Sequence, residues 1–189
     1  MKKVVFDIEI YSNYALFSFS DLDNKAFVEF EMYEGKPLDK KRVAYLLKNR
    51  TLIGFNSRNF DLPIMFAALE GANNQELKRI CDAIIKQGLP SYKTYRQFNI
   101  QGFNVDHIDI IEPSPGVGVS LKLYGGRLNS RKLQDLPIEP DELIIPEQRD
   151  QLRLYCRNDL ATTAELYKAV ENEIVLREQM SKVYNVDLR

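Results

Sequence analysis

The stretch Val4-Val5-Phe6-Asp7-Ile8-Glu9-Ile10 constrains the fold more than any other part of this chain. Successive side chains of a strand point to opposite faces, so Phe6, Ile8 and Ile10 share one face while Asp7 and Glu9 share the other. A strand with one apolar face has to lie on a core. A strand with two neighbouring acids on its second face has to offer them either solvent or positive charge. This first strand is expected over residues 3–10, and two more strand-like stretches follow at 14–20 and 26–32 across short polar breaks. Strands so closely spaced predict an antiparallel meander.

The rest of the chain reads mainly as helix. Val43, Leu46 and Leu47 recur at helical spacing in a polar background, and a short buried strand, Thr51-Leu52-Ile53-Gly54-Phe55, comes next. A helix is expected from Asp61 to Gly71, with Pro63 in the first turn and glycine at the end. A second is expected over residues 74–87, stopped by Gly88 and Pro90. Residues 103–111 predict a strand running into the loop that begins at Glu112, and Ser120 predicts a cap for a short helix from Leu121. From about Pro146 to Tyr184 a long helical pattern runs with a break expected near Asn158. Strands first, then helices alternating with strands, predict an α/β domain with a mixed sheet.

With 189 residues, 44% hydrophobic, the chain is expected to form one domain over 1–189. The apolar runs are too short to span a bilayer, and the charged residues of the opening segment argue against a signal peptide. A soluble, cytoplasmic protein with no membrane partner is therefore expected. The net charge of −1 disfavours a general nucleic-acid coat protein while leaving room for an enzyme that grips nucleic acid at one place. Cys81 and Cys156 have no Cys or His neighbour at metal-ligand spacing, and they read as reduced packing residues without a role.

Three acidic stations stand out. The first is Asp7 and Glu9, which taken alone are better explained by an amphipathic edge strand with a wet acidic face. In the second, a buried strand delivers Asn56, Phe60 and Asp61 to the start of a helix, where Asp61 alone would be an ordinary N-cap. Asn56 has four hydrogen-bonding sites to satisfy at the end of an apolar strand. In the third, Tyr155 and Asp159 are four apart on one face of the long helix, an arrangement that a surface Asp beside a half-buried Tyr would also produce. His107, the only histidine, reads as a structural residue.

In this order the three stations resemble the motifs of the DEDD superfamily of 3′-to-5′ exonucleases: Asp7-Ile8-Glu9, then Asn56-Ser57-Arg58-Asn59-Phe60-Asp61, then Tyr155-Cys156-Arg157-Asn158-Asp159. The Tyr four before the last Asp resembles the Tyr branch. The three residues between Asn56 and Phe60, with the following Leu62-Pro63, look most like the proofreading exonuclease domain of family B DNA polymerases, including phage ones. The resemblance implies a ribonuclease H-like mixed sheet with three antiparallel strands first, flanked by helices. It implies two divalent ions, Mg²⁺ or Mn²⁺, held by Asp7, Glu9, Asp61 and Asp159. Asp7 would bridge the two, Glu9 and Asp159 would complete the site of the water-activating metal, and Asp61 would hold the second mainly through water. Tyr155 would position the attacking water. Asn56, Phe60 and Lys122 would meet the substrate, Lys122 because Ser120-Leu121-Lys122 is similar to a stretch found in many such enzymes.

Hard cations take oxygen ligands, and this chain is rich in carboxylates and poor in histidine. Crowded acids should have raised pKa values, should release protons on metal binding, and should give an activity that weakens in acid and is abolished by chelator. Lys93 and Arg96 interleaved with Tyr92, Tyr95 and Phe98, together with Arg127, Arg131 and Lys132, are candidates for single-strand contacts, although solvated surfaces share that composition. The expected substrate is a single-stranded or frayed DNA 3′ end, and RNA is an alternative. A polymerase domain or subunit is the expected partner, and the chain is expected to be an excised or naturally separate module, in the host cytoplasm if phage-encoded. Three rival expectations stand beside this: an exoribonuclease resembling RNase D, an inactive nucleic-acid-binding scaffold, and a ribonuclease H or resolvase-type endonuclease.

Overall fold

The structure is a computed structural model that describes residues 2–114, 119–128 and 135–189. The chain opens with β1 (Lys2–Ile10), β2 (Tyr14–Asp21) and β3 (Phe27–Tyr33), continues through α1 (Lys40–Asn49) to β4 (Arg50–Gly54), and then runs through α2 (Asp61–Glu70), α3 (Asn74–Ile85) and α4 (Ser91–Gln97) to β5 (His107–Asp109). It ends with α5 (Leu121–Arg127), a 3₁₀ turn at Pro146–Gln148, α6 (Arg149–Ala169) and α7 (Glu171–Tyr184). The strands form one mixed sheet in the order β3-β2-β1-β4-β5, antiparallel from β3 to β1 and parallel from β1 to β5. The expected α/β class, mixed sheet and opening meander are therefore present. Among the described residues, no helix is long and apolar enough to cross a membrane.

Alternation along β1 sorts its side chains between two layers. Val4, Phe6, Ile8 and Ile10 join the core with Val43 and Leu47 of α1, Leu62, Ile64 and Phe66 of α2, and Leu77 and Ile80 of α3. Val5, with Ile53 and Ile108 from the neighbouring strands, packs on Leu160, Leu166 and Tyr167 of α6. Farther along the same face, Tyr11, Tyr14 and Leu16 meet Leu152 and Cys156 of α6. Asp7 and Glu9 thus lie between two apolar clusters beneath α6. Each buried leucine there contributes about 1.5–3 kcal/mol. The half-exposed ion pairs Arg157–Glu29 (2.6 Å) and Arg153–Glu31 (2.7 Å) join α6 to β3. At about 0–1 kcal/mol each they fix its position more than its stability.

Several boundaries differ from expectation. The long C-terminal pattern breaks at Val170, and Asn158 lies inside an uninterrupted α6. The helix expected over residues 74–87 is α3, which starts at a capping box of Asn73 and Glu76 and stops at Ile85. The strand expected over 103–111 shrinks to three residues. The seven-residue α4 has no counterpart in the sequence reading. Ser120 does cap α5, its side chain accepting from the Leu123 N–H. Arg131 and Lys132, and part of the loop after Glu112, fall outside the described residues.

Candidate metal centre

The site lies where the sheet opens. β4 pairs with β1 only from Lys2↔Arg50 to Val5↔Ile53, then leaves the sheet after Gly54. The carboxyl half of β1, which carries Asp7 and Glu9, keeps β2 on one side and loses its partner on the other. Crevices at the carboxyl ends of strands, where neighbouring connections diverge, are the common ligand sites of open α/β sheets. Opposite Asp7 on β2 stands the fully buried Ser18.

The turn that follows β4 brings in the second station. Asn56 adopts a left-handed conformation at φ +54°, which asparagine tolerates better than most residues. Its side chain accepts from Asn59 Nδ2 at 3.0 Å. Behind the turn, the buried Asp109 carboxylate accepts the N–H groups of Asn56 (2.8 Å), Arg58 (2.9 Å) and Ile111 (3.2 Å). Ser57 Oγ and His107 Nε2 are 2.8 Å apart, and the His107 ring packs edge-on against Phe6. Burial pushes the His107 pKa down to about 4, so it is a neutral structural residue. A Cβ on Gly54 would fall 2.5 Å from Ser57 Cβ and 2.8 Å from the Phe6 ring, so the turn can close this tightly only over glycine.

This braced turn delivers Asp61 as the first residue of α2. The cap position belongs to Phe60, which has no side-chain capping bond and packs against the core. The cap explanation for Asp61 is therefore replaced by a less ordinary situation: Asp61 is only 4% exposed, and its Oδ1 is buried with no hydrogen-bond partner. A buried carboxylate oxygen left unpaired is costly unless a cation or water meets it.

From above, α6 presents Tyr155, Cys156 and Asp159. The Tyr155 hydroxyl and the Asn158 side chain both lie against the Asp159 carboxylate. Cys156 is fully buried, and its Sγ–H donates to Asp7 Oδ2 at 3.4 Å.

The electrostatics link the three stations. Burial, followed by the charge of Asp159, pushes Asp7 up to about 7. Glu9 is raised well above its ordinary value by burial, then by Asp7, Asp159 and Asp61. Asp61 is raised by burial, Asp7 and Asp109, and Asp159 reaches about 6 through burial offset by its hydrogen bonds. Tyr155, raised by burial and by Asp159, keeps its proton. Four acids from three distant stretches thus share one recess, and each would be relieved by positive charge. Among the described residues, Asp7, Glu9 and Cys156 each offer a ligand atom, all within 4.8 Å of one another. This donor set, with the orphaned Asp61 oxygen beside it, suits a divalent cation.

The structure brings together Asp7, Glu9, Asp61, Tyr155 and Asp159, and sets Asn56 and Phe60 on the turn leading into them. Lys122 is exposed on α5 and paired with Asp135. Tyr95 packs on Phe66, and Arg127 stacks over Tyr124, so part of the basic and aromatic set serves packing. Sequence reasoning missed Cys156 and Asp109. The one available signal for Asp109 was a carboxylate inside an apolar strand. Comparison with protein-family models, curated proteins and solved structures finds no match to this chain.

Proposed function

We propose that this chain is a ribonuclease H-like, metal-dependent 3′-to-5′ exonuclease that removes nucleoside 5′-monophosphates from single-stranded or frayed DNA ends, in the service of a polymerase domain or subunit. One observation carries the reading: Asp7, Glu9, Asp61 and Asp159, spread over most of the chain, are close enough to raise one another's pKa values, with Tyr155 beside Asp159. The order and spacing of these residues resemble the Tyr-branch exonucleases, and Asp7 and Glu9 lie on the part of β1 beyond the point where β4 leaves it.

The four carboxylates would hold two divalent ions, Mg²⁺ or Mn²⁺. Such a pair, when bound, supplies positive charge to the phosphate and to the attacking and departing oxygens. The protein's own contributions are separate. Tyr155, protonated and beside Asp159, would steady that carboxylate through its hydroxyl and orient a water with the oxygen's lone pairs. Asp109 and the Ser57–His107 pair lock the turn that sets Asp61 and Asn56. Asn56 and Phe60, on the turn that leads into Asp61, would contact a terminal nucleotide.

The test is digestion of matched 3′-labelled DNA and RNA oligomers with Mg²⁺, with Mn²⁺ and with chelator. Mononucleotide release from DNA is expected, abolished by chelator and reduced about 10²–10³-fold by Asp7→Ala or Asp159→Ala, the scale of losing a preorganised electrostatic contact. Activity unchanged in Asp7→Ala, or cutting of circular single-stranded DNA, would overturn the reading.

A further inference from the structure

We infer that the recess also takes a thiophilic divalent cation, Zn²⁺ or Cd²⁺, on Asp7, Glu9 and the Cys156 sulfur, in competition with hard ions for the same two acids. Cys156 Sγ lies 3.4 Å from Asp7 Oδ2. Two ligands of one tetrahedral zinc ion, at about 2.3 Å for sulfur and about 2.0 Å for oxygen, are themselves about 3.5 Å apart. Glu9 completes a trio of donors within 4.8 Å. A second, independent feature points to a cation here: Asp61, 4% exposed and electrostatically coupled to Asp7 and Glu9, holds a buried Oδ1 that has no hydrogen-bond partner.

The sulfur's surroundings suit the assignment. The thiol sits against the buried Ser18 hydroxyl, which has no hydrogen-bond partner of good geometry, and donates to Asp7 Oδ2. Soft thiolate ligands favour Zn²⁺ and Cd²⁺ over Mg²⁺, whereas an all-oxygen cage would not make that distinction. Coordination replaces the S–H bond with a sulfur–metal bond, and the proton leaves to solvent. Nothing in this depends on the nuclease reading. Where that reading holds, a soft ion seated on Asp7 and Glu9 would block the hard-ion site.

The experiment titrates metal-stripped protein with Cd²⁺ alone and follows the ultraviolet charge-transfer band of a cadmium–thiolate bond, without nucleic acid. A band saturating at one equivalent is expected, retained in Cys81→Ala and absent in Cys156→Ser. Zn²⁺ affinity, measured by competition with a chelating dye, is expected to fall about tenfold or more in Cys156→Ser, with a smaller change for Mg²⁺. No band in the unaltered protein or in Cys81→Ala at saturating Cd²⁺ would overturn the proposal, and so would Zn²⁺ affinity unchanged in Cys156→Ser. The Cys81→Ala spectrum decides the matter even where Cys156→Ser fails to fold. Because no substrate is present, a missing band and a missing nuclease activity are separate results.

Discussion

Tyr155 and Asp159 occupy one face of α6, with the Tyr155 hydroxyl beside the Asp159 carboxylate. Removing that hydroxyl in Tyr155→Phe leaves the ring's packing intact and frees Asp159 to move. The rate is expected to fall about 10–100-fold, as for other partners that orient a ligand, with stability changed little. Single-turnover digestion alongside thermal melting checks this. Gly54→Ala is a harsher change, because the new methyl group would meet Ser57 and Phe6 at impossible distances. It is expected to cost about 1–3 kcal/mol in denaturant unfolding. At this scale the sequence was legible where a simple period governs: strand alternation placed Asp7 and Glu9 on one face, and helical spacing paired Tyr155 with Asp159. Cys156 was not legible, since its contact with Asp7 spans 149 residues and only the packing of α6 on β1 creates it.

Among the elements, the turn between β4 and α2 bears most directly on the site. It has almost no regular structure of its own and relies on Asp109, which accepts three of its neighbours' N–H groups. Asp109→Ala takes the acceptor away from all three part-buried donors. A loss of about 1–3 kcal/mol is expected, with faster amide exchange confined first to residues 56–61. Exchange unchanged there would mean that the turn is held by other contacts. The same turn explains why sequence reasoning took Asp61 for a cap: an Asp before an apolar helix normally is one, and only tertiary bracing moves the cap position to Phe60. The break at Val170 escaped for the converse reason. No Gly or Pro marks it, and two helices with continuous patterning meet there. The seven-residue α4 was too short to show a period, and β5 is held mainly by its neighbours.

Across the whole molecule, the raised acids make folding and metal binding depend on pH in opposite ways. In an unfolded chain an aspartate titrates near 3.9, whereas Asp7 is held up to about 7 and Asp159 to about 6. Between these values the folded protein keeps protons that the unfolded chain releases. The acids' contribution to stability is therefore full below about pH 4 and lost as pH rises through about 6 to 7. His107, lowered to about 4, runs the other way: its contribution is full above about 6.5 and lost as pH falls through about 4. Metal binding separates the two, because it acts on the acids alone. The rise in Tm on adding Mg²⁺ or Mn²⁺ is expected to be large at about pH 8 and mostly lost by about pH 5.5, where protons compete for the same carboxylates. A rise independent of pH would place the binding elsewhere. The mixed sheet and the layer order follow from patterns visible in the sequence, whereas the early departure of β4, which opens the recess, follows from a tight turn over Gly54 that no periodicity announces.

The shared recess is tested most directly by a crystal soaked in Mn²⁺ and measured for anomalous scattering. Two manganese peaks about 3.5–4 Å apart, touching Asp7 and flanked by Glu9, Asp61 and Asp159, are the expected result. Manganese bound only elsewhere, or any of these four side chains turned out of the recess, would contradict a common metal centre.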